Sequence, residues 1–512
     1  MADVRHRHTR MQDRNIKLVV TRILATQIYD DTRFPTQNPT TDQVLVYYRR
    51  LCIATHCPVA HCERCASSTY QDMSVTSYHQ LLRLALFLPL FTLGLAQAET
   101  SKLEARLVEQ VDVNNARAIK LLERLVNINS GTMNLPGVKV VGDVLAAEFE
   151  QLGLTTHWED GRDFARAGHL IAEHHGTGGG PRLLLIGHLD TVFEPNSPFQ
   201  RFELLPNNHA RGPGITDMKG GNVIIIEALR ALRAVGQLKA MDITVVMTGD
   251  EELSGRPLTL SKMALINAAE YADIALGFEN GDGKSTTANV SRRGSIGWTL
   301  SIKGKPAHSS QVFREDIGPG AIFEATRVLN RFYTDLRQED LLTFNPGKIL
   351  GGTTLAHDSQ TNSGTIYGKN NIIAESALVT GDIRAISEEQ LARVRTKMTD
   401  IVAQSYPHTL GTITFNDGYP AMAPTAGNQK LLGVYSQISQ DLGYGQVVAV
   451  NPLRAGAADV SFTANQVDMA IDGLGMSGTG AHTVNEIGDL NTLAQQAKRA
   501  AVLMLRLQTA GE

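Results

Sequence analysis

The sequence predicts an α/β protein: a mostly parallel sheet with helices on both faces, interrupted by a smaller two-layer α+β domain. Three observations carry that expectation. Between residues 103 and 291, apolar runs of strand length alternate with segments of helical period, the order that builds a parallel sheet covered by helices. From 292 to 410 the order becomes strand, helix, strands, helix, which suits a two-layer unit standing apart from that sheet. From 411 to 512 the α/β character returns, so one domain is expected in two pieces, 99–291 and 411–512, around an insertion at 292–410.

Taken in order, apolar positions recur at helical spacing from 103 to 127, and VGDVLAAEFEQLG (141–153) reads as a second amphipathic helix closed by Gly153. HLIAEHHG and PRLLLIGHLD are two strands joined by the turn GTGGGP. A long connection leads to GPGITDMKGGNVIIIEALRALRAVG. There a glycine pair precedes a helix whose Ile224, Ile225, Ala228, Leu229 and Leu232 face a core. MDITVVMTGDEE and YADIALGFENG are further buried strands, each running into carboxylates. In the insertion, GWTLSIKGK is a strand, GPGAIFEATRVLNRFY a helix, GTIYGKNNIIAESALVTGDIRAI strands, and SEEQLARVRTKMTDIVAQS a helix. GQVVAVNPLRAGAADVSFTANQ and MAIDGLGMSG then resume the first pattern, with no internal repeat and no low-complexity linker.

At 512 residues the chain is too long for one ordinary core, and 42% hydrophobic with 20% charged residues describes a soluble globular protein. A net charge of -4 gives no basic excess for nucleic acid. The first hundred residues differ from the rest. All four cysteines (Cys52, Cys57, Cys62, Cys65) lie there. MSVTSYHQLLRLALFLPLFTLGLAQAE, from Met73, has the parts of a secretory signal: Arg83, the apolar run Leu84 to Leu95, and Ala96-Gln97-Ala98 as a cleavage site. The apolar run is too short to span a bilayer comfortably. Because such a signal works near the true amino terminus, translation is expected to start at Met73. Residues 1–72 then become a non-native or wrongly assigned extension, and 73–98 a signal peptide. The alternative is a genuine extension that turns the apolar run into an internal anchor. CIATHCPVAHCERC carries ligands of zinc type, yet it lacks flanking strand or helix signals and sits upstream of the export signal. The expected product is periplasmic or secreted, without a stable membrane anchor after cleavage. It is cysteine-free, with 37 basic against 45 acidic residues in 99–512.

The chemistry begins at LLLIGHLDTVFEP. His188 and Asp190 are two residues apart at the end of a buried strand, so they project from one face of the edge where open α/β sheets build their sites. Alone, the pair reads equally as a histidine hydrogen-bonded to a turn aspartate. Its partners are Asp217 after GPGIT, Glu251-Glu252 after VVMTGD, Glu279 in GFEN, and His482 in GTGAHTVNE. Singly, Asp217 reads as a helix cap, Glu251 and Glu252 as a solvated turn, and His482 as a loop histidine. Together, two imidazoles and three carboxylates suit a pair of divalent cations, with zinc the natural choice. A shared carboxylate holds two such metals about 3.5–4 Å apart, and Glu251 is then left to take a proton from water. A serine hydrolase would need a G-x-S-x-G elbow, and GMSGTG has the wrong spacing.

In order, GHLDTV, GPGITDMKGG, TGDEELSG, GFEN, GKPAHSS, NNIIAESALVTGDIR and AHTVNE give a sequence that resembles the zinc aminoacylase and glutamate carboxypeptidase-like metallopeptidases. That family hydrolyses amide bonds next to a free carboxylate, and the likeness runs from about residue 105 to the end. The resemblance implies a zinc-exopeptidase type of sheet and two Zn(2+) per subunit, replaceable by other divalent metals. His188, Asp217 and Glu279 would hold one, and Asp217, Glu252 and His482 the other. It further implies that Asp190 orients His188, that Glu251 is the general base and then the proton donor, and that the Asp217-Met218 peptide is cis. The insertion would be a lid and the surface of a homodimer. His308 would reach across the dimer to the tetrahedral oxyanion, Asn371 would assist, Arg384 would clamp the substrate carboxylate, and Gly456 would bring backbone close to substrate.

Two stretches depart from what glutamate release leads one to expect. The bend FNDGYPAM offers Asp417 and Tyr419 where an arginine is expected, and GRPLTLSK follows the acidic pair. The expected function is an exported dizinc carboxypeptidase acting on a small peptide or N-acyl amino acid through metal-activated water. An N-acyl amino acid deacylase or dipeptidase would use the same centre, and a non-catalytic binding relative is the alternative of a different class. Amino-terminal sequencing of secreted material should begin at Glu99; material that retains residues 1–72 would refute the signal assignment.

Overall fold

A computed structural model describes residues 101–359 and 361–509. Residues 1–72, the segment 73–98 and the cysteine and histidine cluster lie outside the described residues. The main sheet has six strands in the order Thr155–Asp160, Gly168–His174, Asp242–Thr248, Arg182–His188, Ile274–Gly277 and Met469–Ile471. Pairings among the last four are parallel, and the two that involve Gly168–His174 are antiparallel. The sheet is therefore largely parallel, as expected.

The unbroken apolar run Leu183-Leu184-Leu185-Ile186 occupies a central strand because both faces of the sheet are covered. Alternate side chains divide between two cores. Leu183 and Leu185 pack with residues of the helices Lys102–Val126, Gly220–Ala234 and Leu490–Thr509. Leu184 and Ile186 pack with Leu265 and Ala269 of the helix Met263–Glu270 and with Val460. The helix Lys102–Val126 begins where Ser101 and Glu104 form a reciprocal capping box. The helix Leu135–Leu152 stops at Gly153, whose φ of 90° a side chain would resist.

The second sheet is wholly antiparallel, in the order Thr343–Gly352, Ser376–Arg384, Ile296–Gly304 and Thr409–Phe415. Its inner face (Trp298, Leu300, Ile302, Val379, Ile383) packs on the helices Gly320–Leu336 and Glu388–Ala403. The boundary at 410 cuts the strand Thr409–Phe415. That strand runs in register along 298–304 of the same sheet, so the insertion closes after Phe415. The two segments that connect the insertion to the main sheet pair with each other, through antiparallel bridges Arg292↔Met422 and Ser295↔Tyr419.

Some elements left no mark on the sequence. The long connection after Asp190 holds the strands Glu203–Leu205 and His209–Arg211, which join Ile487–Asp489 and Gly478–Thr479 in a small sheet of their own. Three residues are too few to display an alternation. Thr354–Asp358, likewise unmarked, pairs in a separate hairpin with Ser363–Tyr367, the expected strand GTIY, which is exposed throughout. Trp298 is 1% exposed and meets Phe332 edge-on. Trp298→Ala should lower stability by about 3–5 kcal/mol, measured as a shift in the urea unfolding midpoint.

Candidate metal centre

Parallel strands deliver the first groups. Arg182–His188 ends in His188, Asp242–Thr248 runs into the turn carrying Glu251 and Glu252, and Ile274–Gly277 is followed by Glu279. These are the carboxyl ends of adjacent strands, so the groups converge on one edge. Asp217 arrives from the irregular turn Ile215–Lys219 ahead of the helix Gly220–Ala234, and its bond to Met218 is cis. His482 comes from the loop between Gly478–Thr479 and Ile487–Asp489, with φ at 63°. Holding a histidine in that left-handed region costs about 1–3 kcal/mol, a type of strain that gathers at functional sites.

The groups assemble into two triads that share one residue. His188 Nε2 is 3.2 Å from Asp217 Oδ1 and 3.3 Å from Glu279 Oε1. His482 Nε2 is 3.2 Å from Asp217 Oδ2 and 3.0 Å from Glu252 Oε2. The donor atoms of each triad lie within 4.8 Å of one another. Asp217 thus turns one oxygen to each triad. Although burial opposes it, hydrogen bonds from His188 and His482 hold the Asp217 carboxyl well below the usual range. Burial, with the negative charge of Asp217 behind it, pushes Glu279 up to about 7. Burial and then the Glu279 charge hold Glu251 well above the usual carboxyl range.

A pair of cations fits this donor set. Each triad supplies one imidazole nitrogen and two carboxylate oxygens, hard and borderline donors of the kind zinc accepts. Four acidic side chains share a largely buried edge, an arrangement that needs positive charge to balance it. Glu252 Oε1 is buried and has no hydrogen-bond partner among the described residues.

Asp190 is fully buried, and its part differs in detail from the expectation. His188 Nδ1 lies 3.0 Å from the Asp190 backbone carbonyl and 3.5 Å from its carboxylate, so the main chain does most of the orienting. The carboxylate accepts instead from Thr132 Oγ1 at 2.6 Å and from the backbone N–H groups of Glu251 and Glu252 at 3.1 and 3.2 Å. One aspartate therefore orients the first imidazole and holds the acidic turn.

The insertion's residues find their hydrogen-bond partners within the insertion. His308 is exposed and its Nδ1 lies 2.8 Å from Ser310 Oγ; it is bridged to Ile372, beside Asn371, whose carbonyl accepts from Ser309. Arg384 donates from Nε to Asp382 at 2.9 Å. Among the described residues, none of His308, Asn371 or Arg384 hydrogen-bonds to either triad. Gly456 is connected to it indirectly. Its carbonyl accepts from Arg292 at 3.0 Å, Arg292 pairs with Asp472 at 2.6 Å, and Asp472 accepts from the Glu279 backbone at 3.3 Å. A Cβ at Gly456 would meet no atom within 4 Å, so open space lies beside it.

Sequence reasoning passed over several of these supports. Arg292 and Asp472 form a buried pair that steadies the Glu279 strand end. Glu486 is fully buried and accepts from the backbone of Gly214, Thr216 and Asp217, which fixes the turn presenting the shared aspartate. Its place in AHTVNE, four residues after His482, was the available signal. Arg256 reaches the bend at Asp417 and donates to its carbonyl at 3.2 Å, so an arginine does stand near FNDGYPAM, brought from the loop GRPLTLSK.

Residues 184–506, a span that contains both triads, match the model of peptidase family M20/M25/M40. The chain belongs to that family. It is a metallopeptidase, and it is similar to carboxypeptidase G2 of Pseudomonas sp. (strain RS-16), with 27% identity over 437 residues covering 84% of this chain and 98% of that protein. Among solved structures, aminopeptidase PepT from Bacillus cereus ATCC 10987 has the same fold (TM-score 0.60, 19% identity, 78% of this chain and 99% of that one). So does a dinuclear metal-binding peptidase of the M20 family from Bacillus subtilis (TM-score 0.54, 16% identity, 78% and 99%). For this M20 chain, Asp190→Asn should weaken metal affinity about 10–100-fold in a chelator competition titration, because an amide cannot accept from all its present donors.

Proposed function

We propose that the chain is an exported dizinc carboxypeptidase of the glutamate carboxypeptidase type, which hydrolyses the amide bond next to a free carboxylate in short peptides or N-acyl amino acids. The observation that carries this reading is the division of Asp217, one oxygen to the His188 and Glu279 side and one to the Glu252 and His482 side. His188, Asp217 and Glu279 would hold one zinc; Asp217, Glu252 and His482 would hold the other. Two such metals would polarise the scissile carbonyl and lower the pKa of a water. Glu251, adjacent to the ligand Glu252 and unspent in either triad, receives the proton of the attacking water at its carboxylate. As the carbon–nitrogen bond breaks, it passes that proton to the leaving amine.

Arg384 is assigned to the substrate carboxylate, with the exposed Arg256 near the bend as a further cation for an acidic residue. His308 and Asn371 are assigned to the oxyanion, His308 from the other subunit of a homodimer formed through the insertion. Location in the periplasm or outside the cell follows from the signal assigned to 73–98. Likeness to carboxypeptidase G2 over nearly the whole of that protein supports release of a carboxy-terminal residue. The deacylase and dipeptidase readings share the centre and differ only in the pocket. Retention of Glu251 and all five ligands argues against a non-catalytic relative.

The test is a hydrolysis panel of N-benzoyl amino acids, N-acetyl amino acids and dipeptides with zinc-loaded protein. Cleavage of N-benzoyl or N-acetyl amino acids supports the carboxypeptidase or deacylase reading, and cleavage confined to dipeptides with a free amino group overturns it. Glu251→Gln should keep two metals by elemental analysis while kcat falls by about 10²–10⁴. Loss of a metal in that variant would contradict the division of roles.

A further inference from the structure

Beneath the turn that carries Glu251 and Glu252 lies a second cluster of charges that the reaction does not use. Lys262 is fully buried, its Nζ 2.9 Å from Asp250 Oδ1 and 3.0 Å from Asp459 Oδ1. The other Asp250 oxygen accepts from Gly255 N at 2.7 Å and Ser261 Oγ at 2.5 Å, which closes the acidic turn on itself. The other Asp459 oxygen accepts from Thr248 Oγ1 at 2.5 Å. Tyr419 covers the cluster: its ring meets Phe462 at 4.8 Å, and the Lys262 ammonium sits 5.5 Å from the ring centre. The Tyr419 hydroxyl is 2.9 Å from the Glu251 carbonyl oxygen, 3.0 Å from Ser254 Oγ and 3.2 Å from Asp459 Oδ1.

A phenol has one proton, and the surroundings decide where it goes. Both Asp459 oxygens already accept from Lys262 and Thr248. The Glu251 carbonyl, by contrast, is the nearest acceptor to the hydroxyl, at 2.9 Å. We propose that Tyr419 is a positioning residue for Glu251, donating its hydroxyl proton to the Glu251 carbonyl and so fixing the peptide from which the base projects. This rests on the assignment of Glu251 as the general base. The amide on the other side of Glu251 is already held by Asp190, at 3.1 Å. With N–H and C=O both tied, the base moves only through its own side-chain torsions. Tyr419 belongs to one of the two segments connecting the insertion to the main sheet, where its N–H and C=O pair with Ser295 at 3.1 and 2.9 Å. The base is thereby held from the joint itself.

The experiment is a double-mutant cycle between Tyr419→Phe and Glu251→Gln in the zinc-loaded full chain, using whichever N-benzoyl amino acid or dipeptide of the panel the wild type hydrolyses. Tyr419→Phe keeps the ring against Phe462 and Lys262 and removes only the oxygen. Its kcat should fall about 10–100-fold with KM within about threefold, while metal content stays at the wild-type value and the melting temperature drops by only a few degrees. In the Glu251→Gln background the same change should alter kcat less than about twofold, because the hydroxyl acts only through the base. Ser254→Ala should give a smaller loss, suppressed in the same way, and it carries the test should Tyr419→Phe not fold. Full multiplicative loss in the double variant, or an unchanged kcat in Tyr419→Phe, overturns the proposal. A Glu251→Gln enzyme with wild-type turnover overturns instead the assignment of the base on which it rests.

Discussion

Asp217 offers one carboxylate oxygen to His188 and the other to His482, at 3.2 Å each, and much of the neighbouring architecture keeps that division in place. Glu486 grips the backbone on the amino-terminal side of Asp217, and the helix Gly220–Ala234 takes the chain away on the other. The main chain on both sides thus fixes the point from which the oxygens are aimed. Preorganisation of this kind removes most of the cost of gathering acidic groups from the binding event and places it in the folding of the chain.

The supports below the centre share a pattern. Buried carboxylates are spent on backbone N–H groups: Asp190 on Glu251 and Glu252, Asp250 on Gly255, Asp472 on Glu279 and Gly473, Glu486 on the Asp217 turn. A turn held this way gains charge-assisted hydrogen bonds that a loop in water lacks, and its side chains inherit fixed starting points. Two of these carboxylates also pair with buried cations, Asp250 with Lys262 and Asp472 with Arg292, which balances charge where solvent does not reach.

How much of this was legible in the sequence depended on distance along the chain. The α/β class followed from periodicity, and the strand-end positions of His188, Glu251, Glu252 and Glu279 followed from apolar runs that stop at polar residues. Asp217 and His482 lie on irregular segments, so only the order of the motifs around them singled them out. Arg292 with Asp472 and Lys262 with Asp459 were invisible. They are common residue types separated by more than a hundred positions, and nothing local marks a buried ion pair. Tyr419 was noticed for the wrong reason: it stood out as a departure in a bend, whereas its ring lies under the acidic turn and its hydroxyl faces the main chain of Glu251. The boundary at 410 slipped because Thr409–Phe415 alternates like any half-exposed strand and carries no sign of which sheet it joins.

The paired connection between the insertion and the main sheet has a mechanical consequence. A single strand of chain is a swivel, free to twist about its own axis. Two segments laced together at Arg292↔Met422 and Ser295↔Tyr419 resist that twist, because their backbone hydrogen bonds would have to break for one to turn past the other. The orientation of the insertion on the main sheet is therefore set by a tied pair of segments rather than by one free one.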